Sequence, residues 1–228
     1  MKKLLPLIFL LFSSFVFNGV TISNAEQSLN EKTPIDIMLE KRITEMEKEM
    51  YMKALTQYIE FDAEIIIPDY FDSQYVEYTF NLSDTLDIPA RTAFRLIYRE
   101  SCFRDTVVSS MGAKGLMQLM PDTRSTYYYL LRVDTLHLDN NQEDIYIGLN
   151  MLKDLYGFWV SRGNSKIYSW KLALASYNAG KGKVIYYKGI PPYKETTDFI
   201  NFILKSHSNP QFFANYSKKY EDGLKNKS

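Results

Sequence analysis

The chain has 228 residues, with 27 Lys+Arg against 27 Asp+Glu, 46% hydrophobic residues and a single cysteine. Zero formal charge gives no electrostatic case for nucleic acid as a partner, and Cys102 alone excludes an intramolecular disulfide framework. His137 and His207 are isolated and fit no metal-ligand spacing, so no metal and no cofactor are expected.

In chain order, Lys2 and Lys3 precede a mostly apolar run from Leu4 to Phe17, and Ser23-Asn24-Ala25 is a small-residue cleavage pattern. This predicts a signal peptide over residues 1–25, with Glu26 as the mature N-terminus. The apolar run is short for a membrane span, and no cysteine near the cut offers an attachment point for lipid. Retention as an uncleaved anchor is the alternative. The expectation is an exported protein, soluble in the periplasm or cell envelope. Removing 1–25 takes away two lysines and leaves 25 basic against 27 acidic residues, a net charge of −2.

Residues 26–72 read as an N-terminal helical extension. After a polar linker at 26–32, Pro34 and Asp36 signal a long helix over 34–60, with Leu39, Ile43, Met46, Met50 and Leu55 near helical period. That stripe either packs on the domain that follows or serves as a docking surface for an envelope protein, and the chain is expected to be a monomer. Ile65-Ile66-Ile67-Pro68 is a short extended stretch, and 73–86 reads as a helix leading into the next one.

Asp87 and Pro89 then announce a helix, Asp as cap and Pro in the first turn. Ala93, Leu96 and Ile97 form its apolar side, while Arg91, Arg95 and Arg99 recur every four residues on a face expected to be solvated. Glu100 lies four residues after Leu96 and three after Ile97, which extends the apolar face. Desolvation there raises a carboxyl's pKa, and a carboxyl protonated near neutrality is what a general acid requires. The structural alternative is a helix-end glutamate bonded to a backbone amide or paired with Arg104. Cys102 reads as a small packing residue. Asp105 reads as loop-exposed and Asp122, beside Pro121, as a helix cap.

Downstream, 112–121 is expected to be irregular or extended, with a helix over 121–131, a loop over 134–142 and helical periodicity over 143–161. A helix over 170–179 ends at Gly180, residues 181–192 form a connection punctuated by Gly and Pro, and 195–205 is the last helix. The tail, 206–228, is polar and lysine-rich. The fold class is mainly α.

Three motifs bear on function. Glu100-Ser101-Cys102-Phe103 with Ser109 and Gly112-Ala113-Lys114-Gly115-Leu116-Met117-Gln118-Leu119-Met120-Pro121 comes first. Ala175-Ser176-Tyr177-Asn178-Ala179-Gly180 and Pro191-Pro192-Tyr193-Lys194-Glu195-Thr196 follow. In this order they resemble the soluble lytic transglycosylase family over roughly residues 86–205. The resemblance implies an α+β lysozyme-like catalytic domain, taken as 73–205, with a small irregular or extended segment at its cleft. It also implies a peptidoglycan substrate and a single catalytic carboxylate, Glu100, acting first as acid and then as base, with 1,6-anhydromuramoyl ends as product. Ser109 matches the serine expected to bond or orient that carboxylate, and Gln118 and Met120 match sugar-contacting residues. Tyr177 matches the tyrosine near the substrate N-acetyl group, Asn178 belongs to the same motif, and Glu195 matches a glutamate lining the cleft. Two departures stand out: Asp144 where the family usually has Asn, and Phe199 where it usually has Tyr. A lysozyme-type hydrolase and a non-catalytic wall-binding protein are the alternatives.

Overall fold

The computed structural model describes residues 34–205. The expected signal peptide, the 26–32 linker, His207 and the tail lie outside the described residues. The chain divides into two compact units, the first ending at Lys48 and the second beginning at Glu49.

The described part of the first unit is the beginning of helix α1 (Pro34–Ala63). Ile37, Met38, Leu39, Ile43 and Met46 are each between 51% and 61% exposed there. The expected apolar stripe is therefore in water for most of its length, Met50 included, and of its members only Leu55 is buried. The buried apolar positions of α1 within the second unit are Met52, Leu55, Ile59 and Ala63. They follow one another at spacings of three and four, a face in a different register from the one the stripe marked.

In the second unit, α2 (Ser73–Thr85) is capped by Asp72, whose carboxylate accepts from the Gln74 amide at 2.9 Å. Helix α3 (Ala90–Ser101) lies at the centre, with every residue from Thr92 to Ile97 buried. It packs between α2 and the last helix, α8 (Lys194–Leu204). The four-residue arginine repeat keeps to solvent at its ends, with Arg99 exposed and Arg91 half-buried, but burial runs all the way round α3 from Thr92 to Ile97 and takes in Arg95. Arg95 is 2% exposed. Its guanidinium donates to the carbonyl of Ala63 at 2.5 Å and to that of Lys205 at 2.6 Å, and lies 3.6 Å from the Glu64 carboxylate. A buried cation is tolerated here because it supplies donors to the orphan carbonyls of two helix ends. Asp87 does not cap α3. It has φ 53°, and Pro89 holds the cap position without a side-chain bond.

Helix α4 (Pro121–Leu130) starts with Pro121 at its first position, which puts Met120, not Asp122, at the cap; Asp122 lies in the first turn. After a 3-10 turn at Val133–Thr135, α5 (Asn140–Val160) begins at an Asp139–Gln142 capping box, ahead of its expected start. Helix α6 (Lys166–Ala179) likewise begins earlier than expected, at a Ser165 cap. It packs along α5, where the buried Trp159 indole donates to Ser176 Oγ at 2.9 Å. The connection that follows contains a six-residue helix, α7 (Lys181–Tyr186). No regular strand occurs among the described residues. The extended pairing is confined to single bridges, Val108 with Lys114 and Lys114 with Leu119. The unit is mainly α, and the irregular segment expected at the cleft lies between α3 and α4.

Candidate active site

Helix α3 delivers Glu100 one residue before its C-terminal end, where Cys102 closes it in the left-handed conformation (φ 51°). That turn leaves Cys102 exposed instead of packed. The Tyr70 hydroxyl donates to its carbonyl at 2.7 Å. Glu100 itself is partly buried and accepts no hydrogen bond among the described residues, so the backbone-amide and Arg104 alternatives do not hold for it. Burial pushes its carboxyl up to about 8; Arg99 pulls it back, and the charge of Glu195 pushes it further up. Desolvation without a compensating donor is what holds a carboxyl protonated at neutral pH.

The segment after α3 is tied by small-residue contacts. The Ala113 amide donates to Ser109 Oγ at 3.0 Å, and the Ser109 amide donates back to the Ala113 carbonyl at 2.9 Å. Ser109 is thus engaged with its own loop, and no hydrogen bond joins it to Glu100 among the described residues. Gln118, at φ 47°, turns its amide nitrogen to the carbonyls of Val107 (3.0 Å) and Gly115 (2.9 Å), which leaves its oxygen as the free acceptor. Met120 is 42% exposed beside Pro121.

Helix α6 brings Tyr177, whose hydroxyl donates to the Met117 carbonyl at 2.9 Å. Burial raises its phenol well above the ordinary value, and the charge of Glu100 raises it further, ahead of that of Asp144. Asn178, the next residue, accepts from the Thr196 hydroxyl at 2.7 Å. That bond fixes the first turn of α8, from which the exposed Glu195 acts on Glu100. Three separate motifs therefore converge: Glu100 on α3, Met117 on the loop, Tyr177 and Glu195 on α6 and α8. Ser109, Gln118 and Met120 stand on the same loop with no direct link to Glu100.

Asp105 and Asp122 do not act on Glu100. Asp105 is exposed and accepts from Asn141 at 3.2 Å, and Asp122 is exposed. A cavity of 270 Å³ lined by Tyr70, Phe71, Phe103, Arg104 and Asp105 lies alongside, without Glu100 in its wall. No cluster of metal-ligating side chains occurs among the described residues.

Sequence reasoning missed Arg124. From α4 it forms an ion pair with the buried Asp144, whose other oxygen accepts from the Met117 amide at 2.9 Å. The charged residue at 144, a position where Asn was expected, was the signal that a cation had to lie nearby.

The soluble lytic murein transglycosylase of Escherichia coli K12 is 32% identical over 102 residues, 43% of this chain. The chain spans only 15% of the length of that relative. The 70 kDa soluble lytic transglycosylase of Escherichia coli has a similar solved structure, at 25% identity and TM-score 0.46, covering 66% of this chain and 25% of that one. An inactive mutant of the lytic transglycosylase Slt from Pseudomonas aeruginosa is similar at 21% identity and TM-score 0.46, over 66% of this chain and 25% of that one. The family model for the transglycosylase SLT domain matches residues 77–200, more than half of the chain and the whole stretch from Glu100 to Glu195. This chain belongs to the transglycosylase SLT domain family.

Proposed function

We propose that the protein is an exported lytic transglycosylase that cleaves the β-1,4 bond between N-acetylmuramic acid and N-acetylglucosamine in peptidoglycan. The observation that carries the reading is Glu100: a partly buried carboxyl with no internal donor, raised to about 8, beside Tyr177 and Glu195. At neutral pH such a group holds the proton that the glycosidic oxygen needs on leaving. The resulting carboxylate then accepts the proton of the muramoyl C6 hydroxyl as that oxygen attacks C1. A 1,6-anhydro ring forms, the C1–O bond to the leaving sugar breaks, and no water is consumed. Intramolecular attack supplies effective molarity that a second carboxylate would otherwise have to replace.

Gln118, through its free oxygen, and Met120, through its exposed thioether, line the sugar path. Tyr177 and Asn178 bound it on the α6 side, and Glu195 on the α8 side. Ser109 acts by shaping the loop, with its hydroxyl proton available to substrate or to Glu100. No helix among the described residues is long and apolar enough to cross a membrane. Export by the 1–25 signal is part of the proposal, as is an envelope partner at the exposed beginning of α1.

A lysozyme-type hydrolase is the second reading. It is favoured by Glu195, the one other carboxylate among the described residues whose charge acts on Glu100. Assay of purified peptidoglycan with the protein and with Glu100→Gln tests the shared core of both readings. The variant is expected to release no muropeptides while still sedimenting with the wall. A fully active variant would remove Glu100 from the mechanism.

A further inference from the structure

Asp144 is an unusual residue to bury. It is 2% exposed, and desolvation drives its carboxyl toward the neutral form. A neutral acid at this point would carry a proton where the chain needs acceptors: Oδ2 takes the Met117 amide at 2.9 Å, and the Leu116 amide also bears on the carboxylate. Arg124 opposes this by pairing with Oδ1. The surroundings are cut to receive this arrangement. A Cβ on Gly115 would stand 2.4 Å from Asp144 Oδ2, and one on Gly148 would stand 2.5 Å from Met117 Cε. Met117 is thus pressed against α5 and held by its amide on one side. On its other side its carbonyl accepts from Tyr177, the residue whose phenol feels the charge of Glu100.

We propose that Arg124 and Asp144 form a positioning pair that, through the Met117 peptide, sets the Tyr177 hydroxyl relative to Glu100. Neither residue touches substrate in this scheme. Their role is to keep an ionised acceptor under the cleft loop so that the Met117 carbonyl stays directed at Tyr177. The chain of contacts runs Arg124 to Asp144 to Met117 to Tyr177, every link a hydrogen bond or ion pair within the second unit. The role rests on the transglycosylase reading of Glu100 given above. It makes a specific demand: Arg124 is needed only because residue 144 is charged.

Steady-state kinetics of the full chain on purified peptidoglycan test this, with thermal unfolding measured in parallel. Arg124→Ala is expected to lower kcat about tenfold or more with KM changed less than about twofold, since the loss falls on a group at the reacting centre. Asp144→Asn keeps an acceptor for the Met117 amide without the charge. Combined with Arg124→Ala, it is expected to recover kcat to within about threefold of the parent. In a Tyr177→Phe background, Arg124→Ala is expected to add no further loss, because the relay already ends short. Should Arg124→Ala fail to fold, Arg124→Gln, which keeps a donor for Oδ1 without charge, is read the same way. Wild-type kcat in the Arg124 variant, no recovery in the double variant, or full additivity with Tyr177→Phe would each overturn the pair. Glu100→Gln run alongside separates the two claims. An inactive Glu100→Gln with a neutral Arg124 variant sinks the pair alone, and an active Glu100→Gln sinks the functional reading beneath it.

Discussion

Glu100 is where the chemistry of the molecule is concentrated, and its burial has two separable consequences. As a general acid it works only while protonated, so activity should hold through neutrality and fall as pH rises through about 8. That places the limb set by this residue on the alkaline side of neutrality. Stability moves with the same proton. The folded chain keeps a proton that the unfolded chain has already released above the ordinary value of 4.5, so stability declines as pH climbs from there to about 8. Glu100→Gln removes that penalty. The melting temperature of the variant should gain on the wild type progressively with pH across this window, and differential scanning calorimetry at several pH values checks it. A difference independent of pH would mean that the carboxyl is not raised. Gly115 offers a second residue-scale test. It sits at φ 81°, with the Asp144 carboxylate where a Cβ would go. Gly115→Ala therefore meets both backbone strain and a clash, and should cost on the order of 2 kcal/mol in chemical denaturation and most of the activity.

At the scale of elements, α3 explains both what could be read in advance and what could not. Its place, its apolar side and its terminal glutamate were legible because Pro89 and the Ala93–Leu96–Ile97 spacing are local signals. The fate of Arg95 was not. A four-residue repeat marks a face but says nothing about what other helices cover it, and α3 is covered all round from Thr92 to Ile97. Arg95 holds the ends of α1 and α8 through the carbonyls of Ala63 and Lys205, and Arg95→Ala takes the donor from both. The expected cost is about 3 kcal/mol in urea denaturation, and a value near zero would mean that the helix ends find water instead. The α7 helix escaped notice for a related reason. Gly180, Gly182 and Gly189 lower local propensity, and Val184, buried from α7, secures the helix through tertiary packing that periodicity over six residues does not reveal. Conversely, the motif residues Asn178 and Thr196 were legible as family signatures but not as partners. Their bond is expected to matter for α8, so Thr196→Val should weaken substrate turnover by about three- to tenfold by displacing Glu195, with little change in the far-UV circular dichroism.

Across the whole molecule, every residue of the buried apolar core among the described residues lies from Met52 onward. The core therefore draws nothing from the exposed helical stretch at Ile37–Met46. A chain beginning at Glu49 should fold cooperatively and keep Glu100-dependent activity, as judged by thermal unfolding and muropeptide release. Loss of the cooperative transition would show that the first unit contributes to stability. The mainly α architecture was readable because helical period and capping residues repeat along the chain. The convergence of Glu100, Tyr177 and Glu195 was not, because nothing local relates residues so far apart except a family pattern. The reaction they support is best decided by its product. Digestion of purified peptidoglycan in water enriched in heavy oxygen, followed by mass spectrometry of the muramoyl ends, distinguishes internal attack by the C6 hydroxyl from attack by solvent. Unlabelled ends, each one water lighter than a reducing sugar, are the predicted result; reducing ends carrying the heavy oxygen would contradict it.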